Sequence, residues 1–108
     1  MAKSIIQTER ECYLCRKEAE ENGYYGGLKD TGLHKHHLIY GRFGAFRKKA
    51  ERYGLWAYMC AERHHEHGPE SPHGNPEVDL ALKRTAQEAF EERYGHERWM
   101  QEFGKNYL

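Results

Sequence analysis

Eight histidines occur in 108 residues, and seven of them lie between His34 and His73, where an even spread would place about three. Imidazole is the commonest metal-binding side chain and carries protons near neutral pH, so crowding of this kind points to a metal centre. The same stretch holds Cys60, and a Cys12-x-x-Cys15 pair stands upstream. Two ligand clusters distant in sequence must therefore meet in space.

Structural zinc takes four tetrahedral ligands from thiolates and imidazoles, and a Cys-x-x-Cys turn supplies two because its backbone aims both sulfurs at one ion. Cys12 and Cys15 fit that role. The run Cys60-Ala61-Glu62-Arg63-His64 offers a thiolate and an imidazole on one turn, completing a Cys3His set with His64 as fourth ligand. His65 rivals His64, since adjacent histidines project in different directions. Three cysteines are an odd number, and residues 1–11 carry Lys3, Glu9, Arg10 and Glu11 with no long apolar run. A secreted disulfide scaffold is thus not expected; a cytoplasmic protein with no membrane span is.

The remaining histidines suggest a second, open ion site. If His36-His37 lies on a strand, the two imidazoles face opposite ways, so one can hold metal while the other faces substrate. His65 and His73 are the expected companions of His36 on that ion. Phosphodiester hydrolysis calls for such a centre: a positioned base makes the nucleophile, and a divalent ion stabilises charge on phosphate and leaving oxygen. A neutral imidazole suits the base role. Formal net charge is zero, so a nucleic-acid partner must be met by a local patch. Arg42, Arg47, Lys48, Lys49 and Arg52 against the single Glu51 form one. His34, His67 and His96 are read as ordinary surface or core side chains.

The elements that position these residues follow from pattern. Arg16 to Asn22 has the composition of a short helix stopped by Gly23. Leu33 to Ile39, bracketed by glycines, reads as a strand. Ala45 to Tyr53 reads as a basic helix closed by Gly54, and Leu55 to Met59 as an aromatic-rich strand. Gly68 to Asn75 is loop, and Asn75-Pro76 is an N-cap with proline at the first helical position. Leu82, Ala86, Ala89 and Phe90 draw an apolar stripe down a helix ending near Gly95. A further helix carries Trp99, Met100 and Phe103 before Gly104. Trp56, Tyr58, Trp99 and Phe103 are assigned to packing rather than stacking. The chain reads as one domain, residues 1–108, whose thin core gains from a metal staple.

Taken in order, Cys-x-x-Cys, then His36-His37-Leu38-Ile39-Tyr40-Gly41, then Tyr53 to Cys60, a histidine pair and His73-Gly74-Asn75 resemble an HNH endonuclease of the ββα-metal class. Closer still is the similarity to short HNH-like proteins of bacteriophages and prophages, which share Gln87-Glu88-Ala89-Phe90 and the ending Phe103 to Tyr107. Coverage runs from about Cys12 to Leu108. The resemblance implies an α+β fold: a small ββα-metal domain with a zinc knuckle and additional C-terminal helices. It implies metal-dependent cleavage of DNA in a bacterial host cell, with phage replication, recombination or packaging proteins as further partners. It makes His37 the general base and His36, His65 and His73 the ligands of the catalytic ion.

Two departures stand out. The middle asparagine of the HNH pattern, which ties the base-bearing loop in place, is replaced by Gly54-Leu55, so His37 needs another group to orient it. The knuckle's second pair is normally spaced by two residues, yet Arg63 fills that slot here. Expected cofactors are one structural Zn2+ and a second divalent ion (Mg2+, Mn2+, Ni2+ or Zn2+), with nitrogen ligands favouring softer ions than magnesium. The rival reading is a zinc-stabilised module that binds nucleic acid or protein without cutting it.

Overall fold

A computed structural model describes residues 3–41, 44–61 and 72–108. The architecture is α+β, with element order α1 (Tyr13–Glu21), β1 (Leu33–His37), α2 (Ala45–Tyr53), β2 (Trp56–Cys60), α3 (Pro76–Tyr94) and α4 (His96–Phe103). His64, His65, His67 and Arg42 lie outside the described residues.

Helix α1 begins three residues before the expected Arg16 because Cys12 caps it. The Cys12 sulfur accepts from the Cys15 backbone amide, satisfying one of the donors that a helix start leaves over. Its first turn is also held by an ion pair between Arg16 and buried Glu11.

β1 and β2 pair antiparallel in the register Leu33↔Cys60, Lys35↔Tyr58 and His37↔Trp56. β1 ends at His37 rather than Ile39: Leu38 N–H still donates to the Leu55 carbonyl at 3.0 Å, beyond which the pairing stops, and Leu38 and Ile39 are both fully buried in the core. α2 fills the connection between the strands and ends as expected at Gly54, whose φ of 73° is left-handed. A Cβ at Gly54 would also run into the Lys3 carbonyl, so glycine is required twice over. The segment from Lys3 onward lies along β2, where Ile5 N–H donates to the Gly54 carbonyl at 2.9 Å.

α3 starts where the sequence places it: Asn75 Oδ1 accepts from Glu77 N–H at 2.9 Å, with Pro76 at the first turn. α3 and α4 are joined at Gly95 and pack through aromatic side chains. Phe90 and Trp99 meet at 5.4 Å between centroids, and Trp99 and Phe103 at 4.4 Å. One buried cluster takes in Leu38, Ala57, Met59, Leu82, Phe90 and Trp99, so strands and helices share a core. The chain after α4 is latched to α3 by Gln87, fully buried, whose Oε1 accepts from Tyr107 N–H at 2.7 Å and whose Nε2 donates to Asn106 Oδ1 at 2.7 Å. Thus the Gln87–Phe90 and Phe103–Tyr107 stretches, distinct in sequence, form one structural unit. Among the described residues no helix is long and apolar enough to cross a membrane.

Phe90 touches Tyr53, Trp99 and Phe103 from the centre of this core. Truncation to alanine should cost about 3–5 kcal/mol. That is a large share of the ~5–15 kcal/mol that keeps a domain folded. Urea denaturation of Phe90→Ala, read by circular dichroism, checks it; a midpoint within error of the parent would contradict this packing.

Candidate metal centres and catalytic cleft

The sulfurs of Cys12, Cys15 and Cys60 lie within 4.8 Å of one another. The helix cap places Cys12, the first turn of α1 places Cys15, and the final residue of β2 brings Cys60 to them. Sulfurs bound at about 2.3 Å to a tetrahedral ion stand roughly 3.8 Å apart. Cys15 Sγ and Cys60 Sγ are 3.8 Å apart, and none of the three cysteines is in a disulfide. The trio is therefore placed to bind a metal ion such as zinc. Burial pushes the Cys12 and Cys15 thiols up from their ordinary pKa, and for Cys15 the neighbouring Cys12 adds to the effect. Three thiolates packed this closely need a cation between them, and a coordinated ion deprotonates its thiols outright. Three of the four expected ligands are thus brought together; His64 and its rival His65 fall outside the described residues.

At the other end of the sheet, a cleft of about 240 Å³ is lined by Lys35, His36, His37, Tyr40, Arg47 and His73. The strand alternation expected for His36 and His37 holds: His36 pairs with Ala57 and is buried, while His37, half-buried, pairs with Trp56 on the opposite face. Both reach the same cleft because β1 ends there. His73, from the turn preceding α3, stands edge-on to His36 with ring centroids 5.1 Å apart. Two imidazoles sharing one ion at metal–nitrogen distances of about 2.0–2.1 Å have their ring centres roughly 5 Å apart, so this pair has the spacing of co-ligands. His65, the third expected ligand, lies outside the described residues.

Tyr40 backs the pair, its ring 6.0 Å from His36 and 5.8 Å from His73. Its hydroxyl donates to Asp79 Oδ1 at 2.8 Å, and Lys83 closes the chain on Asp79 Oδ2 at 2.8 Å. Burial, with Asp79 alongside, pushes the Tyr40 phenol above its ordinary value, so it stays a proton-bearing donor.

Glu51 is the residue that sequence reasoning missed. Its Oε1 lies 2.8 Å from His37 Nε2, and Lys35 Nζ is 3.2 Å from each of its oxygens. Burial pushes the Glu51 carboxyl up, but hydrogen bonds from His37 and Lys35, reinforced by their charge, outweigh this and hold it below the ordinary carboxylate range. An ionised carboxylate only accepts, so Nε2 carries a proton in this contact, and a ring that is otherwise unprotonated has its lone pair on Nδ1. The group that orients His37 therefore comes from α2, one helical turn after Arg47. A lone acid inside a run of cations was the only sequence signal for it.

The basic segment divides. Arg47 reaches the cleft, and Lys48 and Arg52 are exposed on α2. Lys49 instead turns to α4 and donates to the Glu102 carbonyl at 2.6 Å, clasping two helices together. Arg42 lies outside the described residues. His96 pairs with Glu91 at 2.7 Å where α3 meets α4, consistent with the structural role expected of it, and His34 is exposed.

Substituting Glu51 by alanine should lower any His37-dependent turnover about tenfold or more, with glutamine intermediate because it still accepts from Nε2. Rates of both variants across a pH series check this; equal rates for all three proteins would remove Glu51 from the site. Comparison of the chain with family models, with characterised proteins and with solved structures gives no match.

Proposed function

We propose that this protein is a metal-dependent endonuclease that hydrolyses DNA phosphodiester bonds, built as an HNH-like ββα-metal domain with a structural zinc. The observation that carries the reading is the carboxylate-backed His37, with Glu51 at 2.8 Å, opening on the same cleft as the His36–His73 pair. A base, an imidazole ligand pair and the Arg47 guanidinium converge there, which is what phosphoryl transfer to water needs.

In this mechanism a water oxygen attacks phosphorus and His37 Nδ1 takes its proton. Glu51 stabilises the imidazolium that forms. Arg47 offsets charge on the non-bridging phosphate oxygens, and the bond from phosphorus to the leaving deoxyribose oxygen breaks. His36 and His73, with His65, would hold the second ion, which when bound supplies Lewis-acid stabilisation of the leaving oxygen. All-nitrogen ligation suits zinc, nickel, cobalt or manganese better than magnesium. Cys12, Cys15 and Cys60, with His64, would hold the zinc.

The test is nicking of supercoiled plasmid by purified protein across a series of divalent ions. Ion-dependent conversion to open circles supports the enzyme. A gel shift without nicking would sink the enzyme and favour the same scaffold as a DNA-binding module.

A further inference from the structure

The outer face of the sheet carries a second recess. Lys35 and Tyr58 are paired across the strands there, with His37 and Trp56 as the next pair. The chain from Lys3 to Arg10 runs alongside, fixed to β2 by Ser4, whose Oγ donates to the Trp56 carbonyl, and by Gln7, whose side-chain oxygen accepts from Tyr58 N–H. Between them lies a groove of about 550 Å³, within the ~300–1,000 Å³ range of ligand pockets.

Its floor is aromatic and its walls are cationic. The Trp56 and Tyr58 rings meet edge to face with centroids 5.3 Å apart, and Lys3, Arg10 and Lys35 surround them against one acid, Glu9. Arg10 lies over the Tyr58 ring at 4.7 Å and donates from Nη1 to the Tyr58 hydroxyl at 3.0 Å. The Lys35 ammonium sits 4.1 Å from the Trp56 ring centre. A guanidinium braced on a phenol ring extends the surface on which a base can stack, since bases stack on arginine planes as well as on rings. Lys35 lines both this groove and the His37 cleft, so a strand held in one can continue into the other.

We propose that the groove is a subsite for an unpaired nucleotide of a nucleic-acid strand, its base stacked against Arg10 and Tyr58 and its phosphate met by Lys35 and Lys3. It rests on the nuclease reading only in taking the groove and the cleft to hold one strand. Paired bases show their edges and hide their faces, so an aromatic floor selects a single-stranded segment. An acidic peptide would engage the cations and leave the floor unused.

The experiment uses the full chain carrying His37→Ala, which binds without cutting. Fluorescence anisotropy follows labelled single-stranded oligothymidine, its ribo counterpart, a duplex of equal length and polyglutamate. Expected are tighter binding of the single strand than of duplex or polyglutamate, and a loss of about tenfold or more in Tyr58→Ala, as for one stacked base. Tyr58→Phe, which keeps the ring, should restore most of the affinity and controls for folding. Preference for the deoxy or the ribo strand upholds the subsite and assigns its sugar. Trp56, 8% exposed, lines the groove and Trp99, fully buried, does not, so quenching of tryptophan emission on binding reports Trp56. Duplex or polyglutamate bound as tightly as the single strand, or Tyr58→Ala binding like its parent, would overturn the proposal. Cleavage is not the readout: stacking-dependent binding by a protein that never nicks plasmid would keep the subsite and remove the nuclease.

Discussion

Replacing His37 by alanine is expected to reduce ion-dependent nicking of plasmid about 10²–10⁴-fold, the range for loss of a general base. The argument is geometric. His37 is the imidazole in the cleft whose second nitrogen is engaged by a carboxylate, at 2.8 Å. His36 is buried between Tyr40 and His73, where it is placed to hold an ion rather than to meet water. The substitution should leave the fold intact, because His37 is at the end of β1 and its ring is outside the core cluster. The measurement is the initial nicking rate at saturating ion, alongside a thermal melt and bound-metal analysis of both proteins. Unchanged nicking by a folded His37→Ala protein would move the base elsewhere. A lost rate with collapsed ion content would instead make His37 a ligand.

The second large effect is on stability. If the cysteine trio holds a structural ion, stripping it with a strong chelator or by Cys15→Ser should unfold the domain or depress its melting temperature steeply. Structural zinc contributes on the order of 10–16 kcal/mol in zinc-finger peptides, as much as or more than the whole ~5–15 kcal/mol of an ordinary domain. Packing at this end is thin: α1 contributes no fully buried side chain, and only Tyr13 and Leu14 join Cys15 against the core. Acid should act as the chelator does, because protons compete with the ion for each sulfur. Circular dichroism melts before and after chelation, with zinc measured in the same samples, provide the check. An identical melt after verified removal of the metal would show that packing alone holds this end of the chain.

Much of the scaffold was legible because local chemistry dictated it. Ala45–Tyr53 was bounded by a glycine that must adopt positive φ, and α3 by Asn75-Pro76, whose capping is written in two adjacent residues. The strands were found but shifted at their ends, since Leu38 and Ile39 are apolar in either a ladder or a core and only tertiary packing decides between them. The start of α1 was missed because cysteine was weighed as a ligand and not as a cap. Within the sites, Cys12, Cys15 and Cys60 come together as spacing suggested, and so do His36 and His73. Glu51 was hidden because its partner is fourteen residues away across a turn and a helix, a separation with no sequence signature. Trp56 packs as its composition suggested, only 8% exposed, whereas Tyr58 is half-buried and shares its side of the sheet with Lys35 and His37.

The thiolate trio links residue 12 to residue 60. Everything between them is enclosed in a single ring of chain: both strands, α2, and with them His36, His37, Arg47 and Glu51. Helices α3 and α4 stand outside that ring and join it through the shared core, where Phe90 meets Tyr53 and Phe103 meets Phe46. Closing a long ring costs chain entropy that a bound ion would offset. An ion held by the trio would therefore act as a clasp on the stretch of chain that carries His36, His37, Arg47 and Glu51.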